Sequence, residues 1–172
     1  MDRIDIEKII RLIPGFAAVP EDRWAAAELL SVSPDTPHSV REGRVLRHAM
    51  FVVGGRIRVF KLSPSGREIT LYRVERGQAC VLMLASLLGE TEYEASVSIE
   101  TECEVLLVPA GEFRAWMDAY LPLRRFVYGQ FVGRLTDVTM LLEKVAFRSV
   151  PSRLAEWLLR ESAAAPGAPV RV

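Results

Sequence analysis

The chain has 172 residues, half of them hydrophobic, enough for one domain with a sizeable core, alone or with a short appendage. Its 22 basic and 22 acidic side chains cancel, and a domain that grips nucleic acid by itself normally carries a basic excess to neutralise phosphates. Two cysteines, an acidic N-terminus (MDRIDIEKII) and a longest apolar run of only Val81 to Leu88 speak against a disulfide scaffold, a secretory leader and a membrane span, and predict a protein of the reducing cytoplasm.

In chain order, residues 4–13 have the spacing of an amphipathic helix, with Ile6, Ile9, Ile10 and Ile13 on one face and Pro14-Gly15 as its stop. PEDRWAAAELL, residues 20–30, reads as a second helix with Pro20 in its first turn and Glu21 and Asp22 at its positive end. The periodicity then changes. Runs rich in Val, Ile, Phe and Tyr at 44–53, 56–61, 68–74, 80–84, 93–99 and 104–109 read as strands between Gly-containing turns. Residues 56–60, RIRVF, alternate as a half-buried strand should. Many short strands without β-α-β alternation predict a mainly β fold with added α: a jelly-roll β-barrel over about residues 38–109, flanked by N-terminal helices.

Helix resumes at 111–118, and Pro122 opens a long helix to about Phe147. Along it Tyr128, Phe131, Leu135, Val138, Leu142 and Val145 recur in steps of three and four. That heptad spacing predicts a coiled-coil seam between two copies of the chain, a homodimer. Phe126, Val127, Met140 and Leu141 lie off the seam and are expected to pack on the strand domain. The alternative is that the stripe itself packs there. Ser149 and Pro151 then read as the start of a last helix to about Glu161, with Leu154, Trp157 and Leu158 as its apolar face. The tail SAAAPGAPVRV has the composition of a linker.

Three stretches in this order and spacing, GGRIRVFKLSPSGREITLYRVERGQAC, EASVSIETECEVLLVPAGEFRAWM and LLEKVAFRSVPSRLAEWLL, resemble the Crp/Fnr family of bacterial transcription regulators. The resemblance runs from about residue 15 to 160. It implies a cyclic-nucleotide-binding-like effector domain over residues 1–119 and a dimerisation helix over 120–148. Residues 149–172 would begin the linker to a winged helix-turn-helix that lies outside this sequence and would read a two-fold operator. The implied function is effector sensing and dimerisation for a regulator of transcription, through DNA contacts made by that further domain. A standalone dimeric small-molecule-binding or signalling module is the alternative, and sequence beyond Val172 would separate the two.

In this family a Gly-Glu turn and a following Arg-Ser-Ala supply the N–H groups, carboxylate and guanidinium that hold a cyclic phosphate. The resemblance places them at Ala79-Cys80-Val81 and at Tyr93-Glu94-Ala95, or one position along at Glu94-Ala95-Ser96. Glu94 then stands where a phosphate needs a cation, and repels it. The stretch VLMLASLLGE is too apolar for a phosphate cassette, and the family's adenine-contacting Thr-Ser pair is matched only in half by Val138-Thr139. The expected effector is therefore an unidentified small molecule other than cyclic AMP, with Cys80, Leu82, Tyr93, Glu94 and Thr139 as candidate pocket residues. No cysteine precedes residue 80, which argues against an iron–sulfur cluster. Leu82 stands where haem-sensing relatives carry a histidine, and the two histidines are His38 and His48. No cofactor or metal is expected. Cys80 and Cys103 read as core thiols, with the Gly77-x-x-Cys80 setting leaving a redox role for Cys80 open. No nucleophile elbow, HExxH, P-loop or dinucleotide fingerprint is present, so the chain is not expected to be an enzyme.

Overall fold

The computed structural model of the protein describes residues 2–35, 40–147 and Leu159. It divides into two compact units between Phe131 and Val132. In the first unit, helix α1 (Arg3–Leu12) begins where the Asp2 carboxylate accepts from the Asp5 backbone N–H at 2.9 Å, satisfying one of the free donors of the first turn. Its Ile6 and Ile9 are buried, as is Ile13 just beyond it. Pro14-Gly15 ends the helix as expected, and the chain continues as two 3-10 segments, Pro14–Ala18 and Glu21–Ala26.

The helix expected over residues 20–30 is only half right. Glu28–Val32 is a strand, β1, paired antiparallel with the last strand of the domain. Ala and Leu favour helix by only tenths of a kcal/mol per residue, and five residues of ladder override that preference. The other strands are β2 (His48–Gly54), β3 (Arg56–Leu62), β4 (Glu68–Glu75), β5 (Ser96–Ile99) and β6 (Cys103–Pro109).

The closed jelly-roll barrel is not what forms. The strands make two separate open antiparallel sheets, in the orders β1–β6–β2 and β4–β3–β5. One of the runs expected to supply strands does not, and another, 44–53, begins its strand only at His48. Val81–Gly89 is a helix, α2, in place of a strand at 80–84; its Leu, Met and Ala residues are good helix formers without the β-branching that favours a strand. Residues 44–47 contribute a single isolated bridge, Arg44 with Tyr93. The fold is mixed α/β, with N-terminal helical segments and long C-terminal helix as expected.

The sheet β1–β6–β2 is covered on both faces, with a side-chain period of two. Ala49, Phe51 and Val53 of β2 and Leu106 and Val108 of β6 face one core, with α1, the 3-10 segments and the helices after the strands. There Phe16 meets Phe51, Trp24 and Trp116 with ring centroids 5.0–6.2 Å apart. Met50 and Val52, and Cys103 and Val105, face the second core with β3, β5 and α2. Helix α3 (Ala110–Ala119) buries Phe113, Trp116 and Met117. Helix α4 (Leu121–Phe147) follows, and in the first unit its Leu123 and Val127 are fully buried. Close approach is built in here: a Cβ on Gly15 would lie 2.8 Å from the Phe126 Cβ. The helix expected over about 150–161 lies outside the described residues, apart from Leu159.

Candidate functional site

The second core is incompletely filled. A cavity of about 340 Å³ opens within it, lined by Leu30 and Val32 of β1, Met50 of β2, Val97 and Ile99 of β5, Val105 and Leu107 of β6, and Met83 of α2. Val40, Leu46, Arg47 and His48 complete the lining. The inward-facing positions of β1, β5 and β6 bring residues some seventy apart in sequence to one space, so no linear motif announces it. Its walls are aliphatic, apart from Arg47 and His48.

The same core holds a small polar group. The Cys80 sulfur is 3.5 Å from the Tyr72 hydroxyl and 3.7 Å from the Tyr93 hydroxyl, and the Leu82 backbone N–H donates to the Tyr72 oxygen at 3.2 Å. Cys80 and Tyr93 are fully buried. Burial pushes the Cys80 thiol up, against the hydrogen bond from Tyr72, and pushes the Tyr93 phenol up as well, helped by the neighbouring thiol. Both groups therefore stay neutral at physiological pH. A thiol held protonated is a poor nucleophile and a poor metal ligand.

Among the sequence-predicted pocket residues, the fold brings Cys80 and Tyr93 together. Tyr72, which completes their group, carries no signal in the sequence beyond being a strand aromatic. Leu82 and Glu94 line a separate depression with Ala85, Ser86, Gly89 and Thr91, and Glu94 is exposed. Thr139 belongs to the second unit, where its hydroxyl donates to the Leu135 carbonyl oxygen at 2.9 Å.

Of the heptad residues, Phe131 packs partly against the core of the first unit. Tyr128 is 56% exposed, and in the second unit Leu135 and Leu142 are 68% and 63% exposed. Val138 is also exposed, while the Val145 side chain lies outside what the structure describes. Val127 and Phe126 pack on the first unit as expected, but Met140 and Leu141 are exposed. Among the described residues no group of His, Cys, Asp or Glu is placed to hold a metal ion. Among them, too, no helix is long and apolar enough to cross a membrane.

Residues 39–120 match the sequence profile of the cyclic nucleotide-binding domain family. No curated protein matches the chain. Among solved structures, a putative Crp/Fnr-family transcriptional regulator from Eubacterium rectale is 23% identical, covering 90% of this chain and 73% of its own, with a TM-score of 0.63. The catabolite activator protein of Thermus thermophilus is 20% identical over 90% of this chain and 73% of its own, with a TM-score of 0.62. The global regulator CLP of Xanthomonas campestris, described as responsive to cyclic di-GMP, is 19% identical over 87% of this chain and 74% of its own, with a TM-score of 0.68. Over residues 39–120 the chain matches the cyclic nucleotide-binding domain family, and its fold is that of these regulator structures.

Proposed function

We propose that the chain is the effector-sensing and dimerisation region of a Crp/Fnr-type transcription regulator whose signal is not a cyclic nucleotide. One observation carries the second half of this reading. Tyr93, at the position that the family resemblance gives to the phosphate-binding arginine, is a buried neutral phenol against the Cys80 thiol. A cyclic phosphate placed there would lose its water and meet no counter-charge, at a cost of several kcal/mol. Shifting the match by one position substitutes Glu94, which repels the phosphate instead. The helix α2 that follows Cys80 offers Val81, Met83, Leu84 and Leu87, all buried.

The division of labour in this reading follows the chain. Residues 1–119 sense, residues 120–148 pair two copies, and residues 149–172 lead toward a DNA-reading winged helix-turn-helix. The exposed apolar residues Leu135, Val138 and Leu142 support pairing, because such a row on a helix is stable in water only when covered. Pairing sets the spacing of two DNA-reading helices on a two-fold operator. Such a regulator acts in the cytoplasm, where it meets the chromosome.

Chromatin immunoprecipitation of the N-terminally tagged natural gene product, in its own host, tests the regulator reading. Discrete peaks at promoters that share a two-fold motif are expected. A featureless profile from a well-expressed protein would contradict it.

A further inference from the structure

We propose that the cavity between the two sheets binds a straight-chain monocarboxylate, a medium-chain fatty acid, with its tail inside and its carboxylate held at the mouth by Arg47 and His48. The proposal rests on the reading of this domain as a sensor and names the chemical class of its ligand.

The walls define the tail. Val32, Met50, Met83, Val97, Ile99 and Leu107 present branched aliphatic and thioether groups, and no Phe, Tyr, Trp or acidic side chain is among the lining residues. Such a wall favours a flexible methylene chain over a ring that needs stacking, and it excludes a phosphate or sugar, whose polar atoms would go unpaired. The size fits. At the ~30 Å³ that a water-sized group takes in a liquid, a cavity of about 340 Å³ holds roughly ten methylene-sized groups. Voids of this size are uncommon in packed interiors, and an empty one forfeits contacts on every wall.

The mouth defines the head group. Arg47 and His48 are the polar lining residues, and both are exposed. Among the described residues neither has an acidic partner, whereas the nearby Glu42 is already engaged by Lys61 at 3.5 Å. His48 lies on the same side of β2 as Met50, and Arg47 next to it lines both this cavity and a second depression with Glu90 and Arg114. An imidazole N–H and a guanidinium at these positions suit an anion whose remainder is apolar, and a planar carboxylate matches the guanidinium fork. Because the head group stays at the rim, its charge is not buried, while the tail leaves water entirely.

The test is calorimetric titration of the whole chain with sodium decanoate, decan-1-ol and sodium butyrate, with thermal melts as a folding control. Decanoate is expected to bind once per chain with a micromolar dissociation constant, and butyrate at least a hundredfold more weakly. Ile99→Phe, which pushes a ring into the cavity, should weaken decanoate more than tenfold. Leu30→Phe, at the half-exposed edge of the same cavity, gives a second reading if the first variant melts early. Arg47→Gln with His48→Gln should weaken decanoate about tenfold and leave decanol unchanged. Absence of decanoate binding at millimolar concentration, equal binding by both filled variants, or equal loss of decanol in the double variant would overturn the proposal. A chain that fails to bind decanoate but still yields promoter peaks loses only this ligand class. One that binds decanoate and yields no peaks keeps the cavity and loses the regulator reading.

Discussion

Replacing Leu135 and Leu142 together by Asp should convert the chain from a dimer to a monomer. Both leucines lie on the three-and-four stripe, and both are more than 60% exposed. If that surface is covered by a second copy, the contact is isologous, so each substitution enters the interface twice. Four carboxylates would then lose water in an apolar seam without partners, at a cost of a kcal/mol or more apiece. A total of about 4 kcal/mol raises the dimer dissociation constant roughly a thousandfold. Phe131 is the poorer choice, because it packs partly against the core of the first unit and its loss would weaken the fold as well. Thr136→Asp, off the stripe and exposed, should leave the mass unchanged. Light scattering at micromolar concentration reads the outcome, and a double variant that keeps the dimer mass would show that the stripe is not the seam.

The largest stability effect is expected at Gly55. This residue carries the chain from β2 in one sheet to β3 in the other. Its φ is +80°, and a Cβ there would lie 2.6 Å from the Cys103 sulfur, with the Glu102 carbonyl oxygen also in the way. The left-handed conformation alone costs an L-residue about 1–2 kcal/mol. The clash adds to it, because its partners are a backbone carbonyl and a buried thiol that cannot swing aside. Gly55→Ala should therefore lose about 3 kcal/mol or more and lower the melting midpoint by roughly 6–12 °C. Gly66, at φ +81° in the β3–β4 turn, has open space where its Cβ would go. Gly66→Ala should cost only the conformational term, about 1–2 kcal/mol. Equal losses at the two sites would mean that the passage between the sheets is looser than these distances require.

The contrast between these residues explains what the sequence could reveal. Strand β3 was legible because Arg56 to Val59 alternate between solvent and core, although Phe60 is buried beside Val59 across a register shift, and the structure pairs the strand on both sides. Helix α1 and the long α4 were legible from their three-and-four spacing. Helix α2 was not, because nearly every position in VLMLASLL is apolar and a helix buried on several sides has no periodicity to read; the lack of β-branching after Val81 was the remaining cue. Strand β1 was missed because local preference and long-range pairing point in opposite directions at Glu28–Val32. The stripe on α4 showed which residues recur together but not which of its neighbours are buried: Phe126 and Val127 pack on the first unit, whereas Met140 and Leu141, in the second, are exposed. Tyr93 was visible in the sequence only as a departure from the family's arginine. Its meeting with Cys80 and Tyr72 depends on residues from separate segments converging, as does the cavity.

The proposed function requires that residues 39–120, which match the cyclic nucleotide-binding domain family, do not bind a cyclic nucleotide. Calorimetric titration of the chain with cyclic AMP and cyclic GMP, each to millimolar concentration, tests it most directly. No saturable heat is expected from either, because neither Tyr93 nor Glu94 can replace a phosphate-binding guanidinium. Saturable binding with a dissociation constant below about 10 μM, equivalent to roughly −7 kcal/mol, would contradict the account.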